Sequence, residues 1–137
     1  MPIQYAVAPG TVVLCDYSTG FRPPEMVKRR PAVVISPRLP HRDRLCTVVP
    51  LSGSASSHDL AYQCRIALAE PLPPPFEQSV WWAKADMLAT VSFERLDLFR
   101  TARDQETGRR RYLHPKLTAD DFKRVQDSVM HALGLSR

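Results

Sequence analysis

No pair of histidines or cysteines in this sequence stands at metal-ligand spacing, and no segment is apolar for the roughly 20 residues a bilayer-spanning helix needs. The four histidines (His41, His58, His114, His131) are scattered, and the three cysteines (Cys15, Cys46, Cys64) are far apart with no C-x-x-C. Such thiols in β-type segments are expected to be buried and reduced, as in a cytosol; neither a metal nor another cofactor is expected. No G-x-x-x-x-G-K-[ST] phosphate loop is present. The Ser-rich stretch 52–59 offers hydroxyls and His58, but without a G-x-S-x-G elbow a serine hydrolase has no support. MPIQYAVAPG has no basic region followed by an apolar block, so no secretory signal is expected, and the reading is of a cytoplasmic protein without membrane contact. There is neither an internal repeat nor a dividing linker.

What is present is one domain's worth of chain, residues 1–137, with 44% hydrophobic and 24% charged residues and a formal net charge of +5. The charge is uneven. Residues 21–44 carry seven cations against two acids, and residues 100–116 carry six against two. A surface for a polyanion would look like this; so would one for an acidic protein partner, or a solvated basic face.

Short β-type segments dominate. GTVVLCDY (10–17), PAVVISP (31–37) and LCTVVPLS (45–52) are expected strands, separated by the loops STGFRPPEMVKRR and PRLPHRDR. In LAYQCRIAL (60–68), Leu60, Tyr62, Cys64, Ile66 and Leu68 alternate with Gln63 and Arg65. EPLPPPFEQ is a stiff extended connection, and SVWWAKADMLATVSF has β-type flanks around a polar AKAD centre. Residues 100–116 form a charged hairpin turning near Thr107–Gly108. One helix is expected over about 118–133, started by a Thr118/Asp121 capping box, striped by Phe122, Val125, Val129 and Leu133, and closed by Gly134. The fold class is mainly β with a C-terminal helix, a small barrel or strongly bent sheet.

The remaining chemistry sits at strand mouths. Glu25 and Arg30 flank one strand, Ser52 ends the next, and Lys84 and Asp86, spaced K-x-D, share a face if their segment is extended. Metal-free RNA cleavage needs a base for the 2′-hydroxyl proton, a cation for the phosphorane charge and a donor to the leaving 5′-oxygen. Asp86 or Glu25 suits the first role, Arg30 the second, and Lys84 a phosphate clamp or the acid. These residues would equally serve as solvent-facing charges on strand edges.

The ordered string E-M-V-K-R-R-P-A-V-V-I-S-P, preceded by G-T-V-V-L-C-D-Y, resembles the opening of the PemK/MazF family of toxins from bacterial toxin–antitoxin pairs. On that pattern Glu25 and Arg30 fall on the family's loop glutamate and active-site arginine. C-T-V-V-P-L-S resembles its V-V-P-[VI]-[ST] block and puts Ser52 on a catalytic hydroxyl. K-A-D-M-L-A-T-V is similar to R-x-D-Q-x-R-T-I of the Kid/PemK branch, matching Lys84, Asp86 and Thr90 and replacing a Gln and an Arg with Met87 and Ala89.

The resemblance implies an SH3-like barrel, a homodimer, and sequence-specific, metal-independent cutting of single-stranded RNA. It implies 2′,3′-cyclic phosphate and 5′-hydroxyl ends, and an acidic antitoxin in the RNA groove. Lys28, Arg29, Arg109, Arg110 and Arg111 are the expected RNA-binding cations. The alternative is a non-catalytic nucleic-acid- or protein-binding member of the same barrel class, including a gyrase poison like CcdB.

Overall fold

Segments such as AVV (32–34) and TVVPL (47–51) put apolar residues at consecutive positions, so strands built from them must be covered on both faces. The computed structural model, which describes residues 2–56 and 58–135, meets that demand with two cores. Its strands are β1 (Val12–Asp16), β2 (Arg29–Val34), β3 (Leu45–Ser52), β4 (Gln63–Ala67), β5 (Val80–Lys84), β6 (Ala89–Ser92), β7 (Leu96–Asp97), β8 (Phe99–Arg100) and β9 (Tyr112–Leu113), followed by helix α1 (Ala119–Ala132). Single 3-10 turns at Ala85–Met87 and Phe93–Arg95 join β5 to β6 and β6 to β7.

β3 organises the sheet. Its first half pairs with β6, its last two residues with β5, and its other edge with β2, all antiparallel. β1 pairs with β2 on one side and β7 on the other. Because β6 runs into β7, the path β1–β2–β3–β6–β7 returns to β1 and makes a small SH3-like barrel, from which β5 and β4 lead away. Val13, Cys15, Ala32, Val34 and Val48 fill the interior with Val91, Phe93 and Leu96. The opposite face of the same strands (Val12, Val33, Val49, Leu51) packs with Ile66, Trp81 and Val125 of α1. One strand set thus serves two cores, which explains the unbroken apolar runs.

Several expectations are adjusted. β4 is shorter than the 60–68 alternation: Gln63 N–H closes a turn on the Leu60 carbonyl (3.1 Å), while Cys64, Ile66 and Leu68 do face inward. The capping box forms in one direction only. Thr118 Oγ1 accepts from the Asp121 N–H (3.1 Å), but the Asp121 carboxylate accepts from the Ala67 N–H and from Arg124. The helix stripe stops a turn early, for Leu133 is 52% exposed. The charged hairpin is β8–β9, its tip closed by Asp104 Oδ1 accepting from the Glu106 and Thr107 N–H groups, with Gly108 at φ +70°. No described helix is long and apolar enough to cross a membrane.

The thiols carry a testable consequence. Burial pushes Cys15 up from 9.0 to about 11, and shifts Cys46 and Cys64 in the same direction. The unfolded thiol ionises near its ordinary value, so the fold's preference for neutral Cys15 is complete below that value. It is lost as pH rises through about 11. Denaturant unfolding followed from pH 8 to 11 is expected to show falling stability, with a shallower fall in Cys15→Ala; parallel curves would contradict this. Iodoacetamide at pH 8 should leave Cys15 and Cys46 unlabelled until the chain unfolds.

Candidate active site

Two prolines shape the site. Pro31 and Pro50 have no N–H to give a ladder, and the β2–β3 pairing ends at the Ala32–Pro50 rung. Beyond it β2 continues against β1 and β3 against β5. Arg30 and Ser52 each lie two residues beyond that last rung, at the end of the β2–β3 ladder, and no pairing joins them. Arg30 stands opposite Cys15 and so lies on the barrel-interior face of β2. It is half-buried, and its Nε is fully buried with no hydrogen-bond partner among the described residues. A guanidinium held this way is incompletely satisfied, a costly arrangement unless an anion completes it.

A row begins at Ser52, because Trp82 of β5 stands opposite Ser52 and Arg65 of β4 opposite Trp82. Cross-strand neighbours share a face, so Ser52, Trp82 and Arg65 form one line over three strands, with Arg30 beyond the last β2–β3 rung. Ser52 Oγ accepts from the Ser54 N–H (3.2 Å), which holds the start of the following loop. Lys84, two residues on from Trp82, is on the same face and donates from Nζ to Gln63 Oε1 (3.1 Å).

Asp86 corrects the K-x-D expectation. The strand ends at Lys84, and Asp86 lies exposed in the 3-10 turn that buries Ala85. The alternation that would have put both on one face stops between them. Glu25 is exposed in its loop, with Oε2 accepting from the Arg22 N–H (3.3 Å). No hydrogen bond or ion pair joins any two of Glu25, Arg30, Ser52, Lys84 and Asp86 among the described residues. Thr90 is bonded to Thr47 (2.6 Å), on the face of β3 opposite Ser52. Ala89 packs against the barrel core, so an apolar contact fills that position.

Two of the expected RNA-binding cations, Arg29 and Arg110, come together. Lys28 is an exposed loop residue, but Arg29 is the first residue of β2 and alternates to the face opposite Arg30. There it lines a groove of about 690 Å³ with Arg100, Arg110, Pro73–Pro75 and Phe76. Arg109 and Arg111 are exposed on the hairpin, with the Arg111 N–H donating to Thr101 Oγ1 (2.9 Å).

Arg95 is a residue that no sequence motif singles out. Its Nη1 donates to the Asp16 (3.0 Å) and Thr19 (2.8 Å) carbonyls, and its guanidinium lies 4.7 Å over the Phe21 ring. Gly20, at φ +84°, passes so close that a Cβ there would stand 3.2 Å from Arg95 Nη2. Arg95 therefore pins the loop that leads to Glu25 and Arg30. Ser18 bonds hold the Asp16 carboxyl below its ordinary pKa, with Arg29 and Arg95 adding to the effect. Among the described residues no three His, Cys, Asp or Glu stand together as a metal site would need.

The fold thus holds a half-buried arginine, its Nε without a partner among the described residues, at the end of the β2–β3 ladder. The family described as "PemK-like, MazF-like toxin of type II toxin-antitoxin system" matches residues 8–133, and the chain belongs to that family. The Escherichia coli K12 protein YifN is 33% identical over 103 residues, covering 73% of this chain and 68% of that protein. A mycobacterial endoribonuclease, solved with its cognate antitoxin, superposes with a TM-score of 0.61 at 19% identity over 96% of this chain and 99% of that one. MazF from Deinococcus radiodurans superposes with a TM-score of 0.57, at 20% identity over 95% of this chain and 98% of that one. The likeness to these two is one of fold.

Proposed function

We propose that this chain is an endoribonuclease toxin that cuts single-stranded RNA without a metal. The observation that carries the reading is Arg30: a half-buried guanidinium with a buried Nε that has no partner among the described residues, held on β2 just beyond the end of its pairing with β3. Family membership and the endoribonuclease among its structural neighbours support it.

A carboxylate, Asp86 or Glu25, takes the proton of the 2′-hydroxyl as its oxygen attacks the adjacent phosphorus. Arg30 stabilises the charge building on the phosphorane oxygens, where a fixed donor is most effective. Lys84 clamps the phosphate or gives a proton to the 5′-oxygen as its bond to phosphorus breaks, and Ser52 donates to a phosphate oxygen. The products carry a 2′,3′-cyclic phosphate and a 5′-hydroxyl. We take the working unit to be a homodimer restrained by an acidic antitoxin; complexes of neighbouring toxins with antitoxins support an antitoxin partner.

The direct test is incubation of the purified protein with a long mixed-sequence RNA in EDTA, read by mapping the cut ends. A second concerns the hairpin. If Arg109 to Arg111 meet phosphates, replacing all three with serine weakens RNA binding and lowers the slope of log K against log salt by roughly 0.7 for each phosphate no longer neutralised. An unchanged slope returns the hairpin to a solvated role.

A further inference from the structure

We infer that Trp82 is a base-stacking platform for the RNA strand, with Arg65 beside it as a flanking phosphate contact. This assignment rests on the ribonuclease reading and names how that site would hold a neighbouring nucleotide.

The two adjacent tryptophans have different surroundings. Trp81 is 3% exposed, packs near Phe76 and donates from Nε1 to the Gln78 carbonyl (2.9 Å), so the core accounts for it. Trp82 alternates to the other face of β5, away from that core, and remains only half-buried. Its neighbours there are polar or charged: Ser52 on one strand and exposed Arg65 on the other. A large aromatic on a cationic face has little to gain as packing, but it suits a ligand that is flat and anionic by turns.

Spacing is compatible as well. Paired strands lie about 4.8 Å apart, so Trp82 sits one strand spacing from Ser52, and Arg30 lies roughly 10 Å or more from Trp82 because the β2–β3 ladder has already ended at Ala32–Pro50. A phosphate at Arg30 therefore brings an adjacent base over the indole, and Arg65, directly across from Trp82, meets the backbone beyond it. Stacking of this kind tolerates any base, because every base has a π-face, and it acts on binding instead of on the chemical step.

The experiment compares wild type, Trp82→Ala and Trp82→Phe on a cleavable RNA oligonucleotide, after thermal melts establish that the variants fold. Trp82→Ala is expected to raise KM by roughly ten- to a hundredfold with kcat changed by less than about threefold. Trp82→Phe should recover most of that loss. A merely structural tryptophan is separated by removing bases one at a time from the oligonucleotide. At one position the abasic RNA should cost the wild type about the same factor, and cost Trp82→Ala nothing further.

Unchanged KM in Trp82→Ala, or abasic losses equal in both proteins at every position, would overturn the assignment while leaving the ribonuclease reading intact. If Trp82→Ala does not fold, Trp82→Phe and the abasic series on wild type still decide: no position-specific abasic loss sinks the assignment. A wild type that cuts no RNA sinks both together.

Discussion

Replacing Arg30 with alanine is expected to slow cleavage of single-stranded RNA by roughly 10² to 10³, the usual cost of losing one preorganised charge-stabilising donor. The loss should fall on kcat and kcat/KM alike, because the interaction is strongest when the phosphorane is formed. Stability should change little. Removing Arg30 also removes a buried Nε that has no partner among the described residues. Arg30→Lys is expected to recover only part of the rate, since an ammonium cannot contact two phosphate oxygens in the fork geometry of a guanidinium. Single-turnover cleavage beside a thermal melt checks the pair. Full activity in Arg30→Ala would remove the residue on which the proposed chemistry rests.

Trp81→Ala is expected to act in the opposite way, lowering stability by about 3–5 kcal/mol. Trp81 fills the core shared by the sheet and the helix, beside Leu51, Ile66 and Phe99, and its indole N–H is bonded to the Gln78 carbonyl. Truncation opens a cavity there and leaves that carbonyl without its donor. Domains of ordinary stability have roughly 5–15 kcal/mol in all, so the variant should sit close to unfolding at physiological temperature. Equilibrium denaturation gives the number. A loss below about 1 kcal/mol would mean that the core collapses around the gap, against its dense packing. The two tryptophans thus predict a contrast: position 81 governs folding, position 82 substrate binding.

Much of the scaffold was legible in the sequence, because apolar β-branched runs at Val12–Val13, Val33–Val34 and Val48–Val49 are strong strand signals. The ordered blocks around Arg30 singled that residue out, and the structure holds its Nε buried and without a partner among the described residues. What could not be seen was set by long-range pairing. β3 changes partner from β6 to β5 along its length, and only that split, with the prolines at 31 and 50, parts the strands beside Arg30 and Ser52. Lys84 and Asp86 looked like a same-face pair because a two-residue spacing carries no sign that the strand gives way to a 3-10 turn. The run Lys28–Arg29–Arg30 looked uniform, yet strand alternation sends Arg29 to the groove with Arg100 and Arg110, and Arg30 to the barrel mouth. Arg95 had no signal at all. A lone arginine in FER gains its role only when the barrel brings it against the Asp16 and Thr19 carbonyls.

The central claim is metal-free cutting of RNA at the barrel mouth. It is tested most directly by incubating wild type and Arg30→Ala with one long RNA in excess EDTA and determining the chemistry of every new end. The account predicts discrete cuts in unpaired segments by wild type, each with a 2′,3′-cyclic phosphate upstream and a 5′-hydroxyl downstream, and almost none by Arg30→Ala. RNA left whole by wild type in EDTA and again with magnesium, or ends bearing a 5′-phosphate, would contradict it.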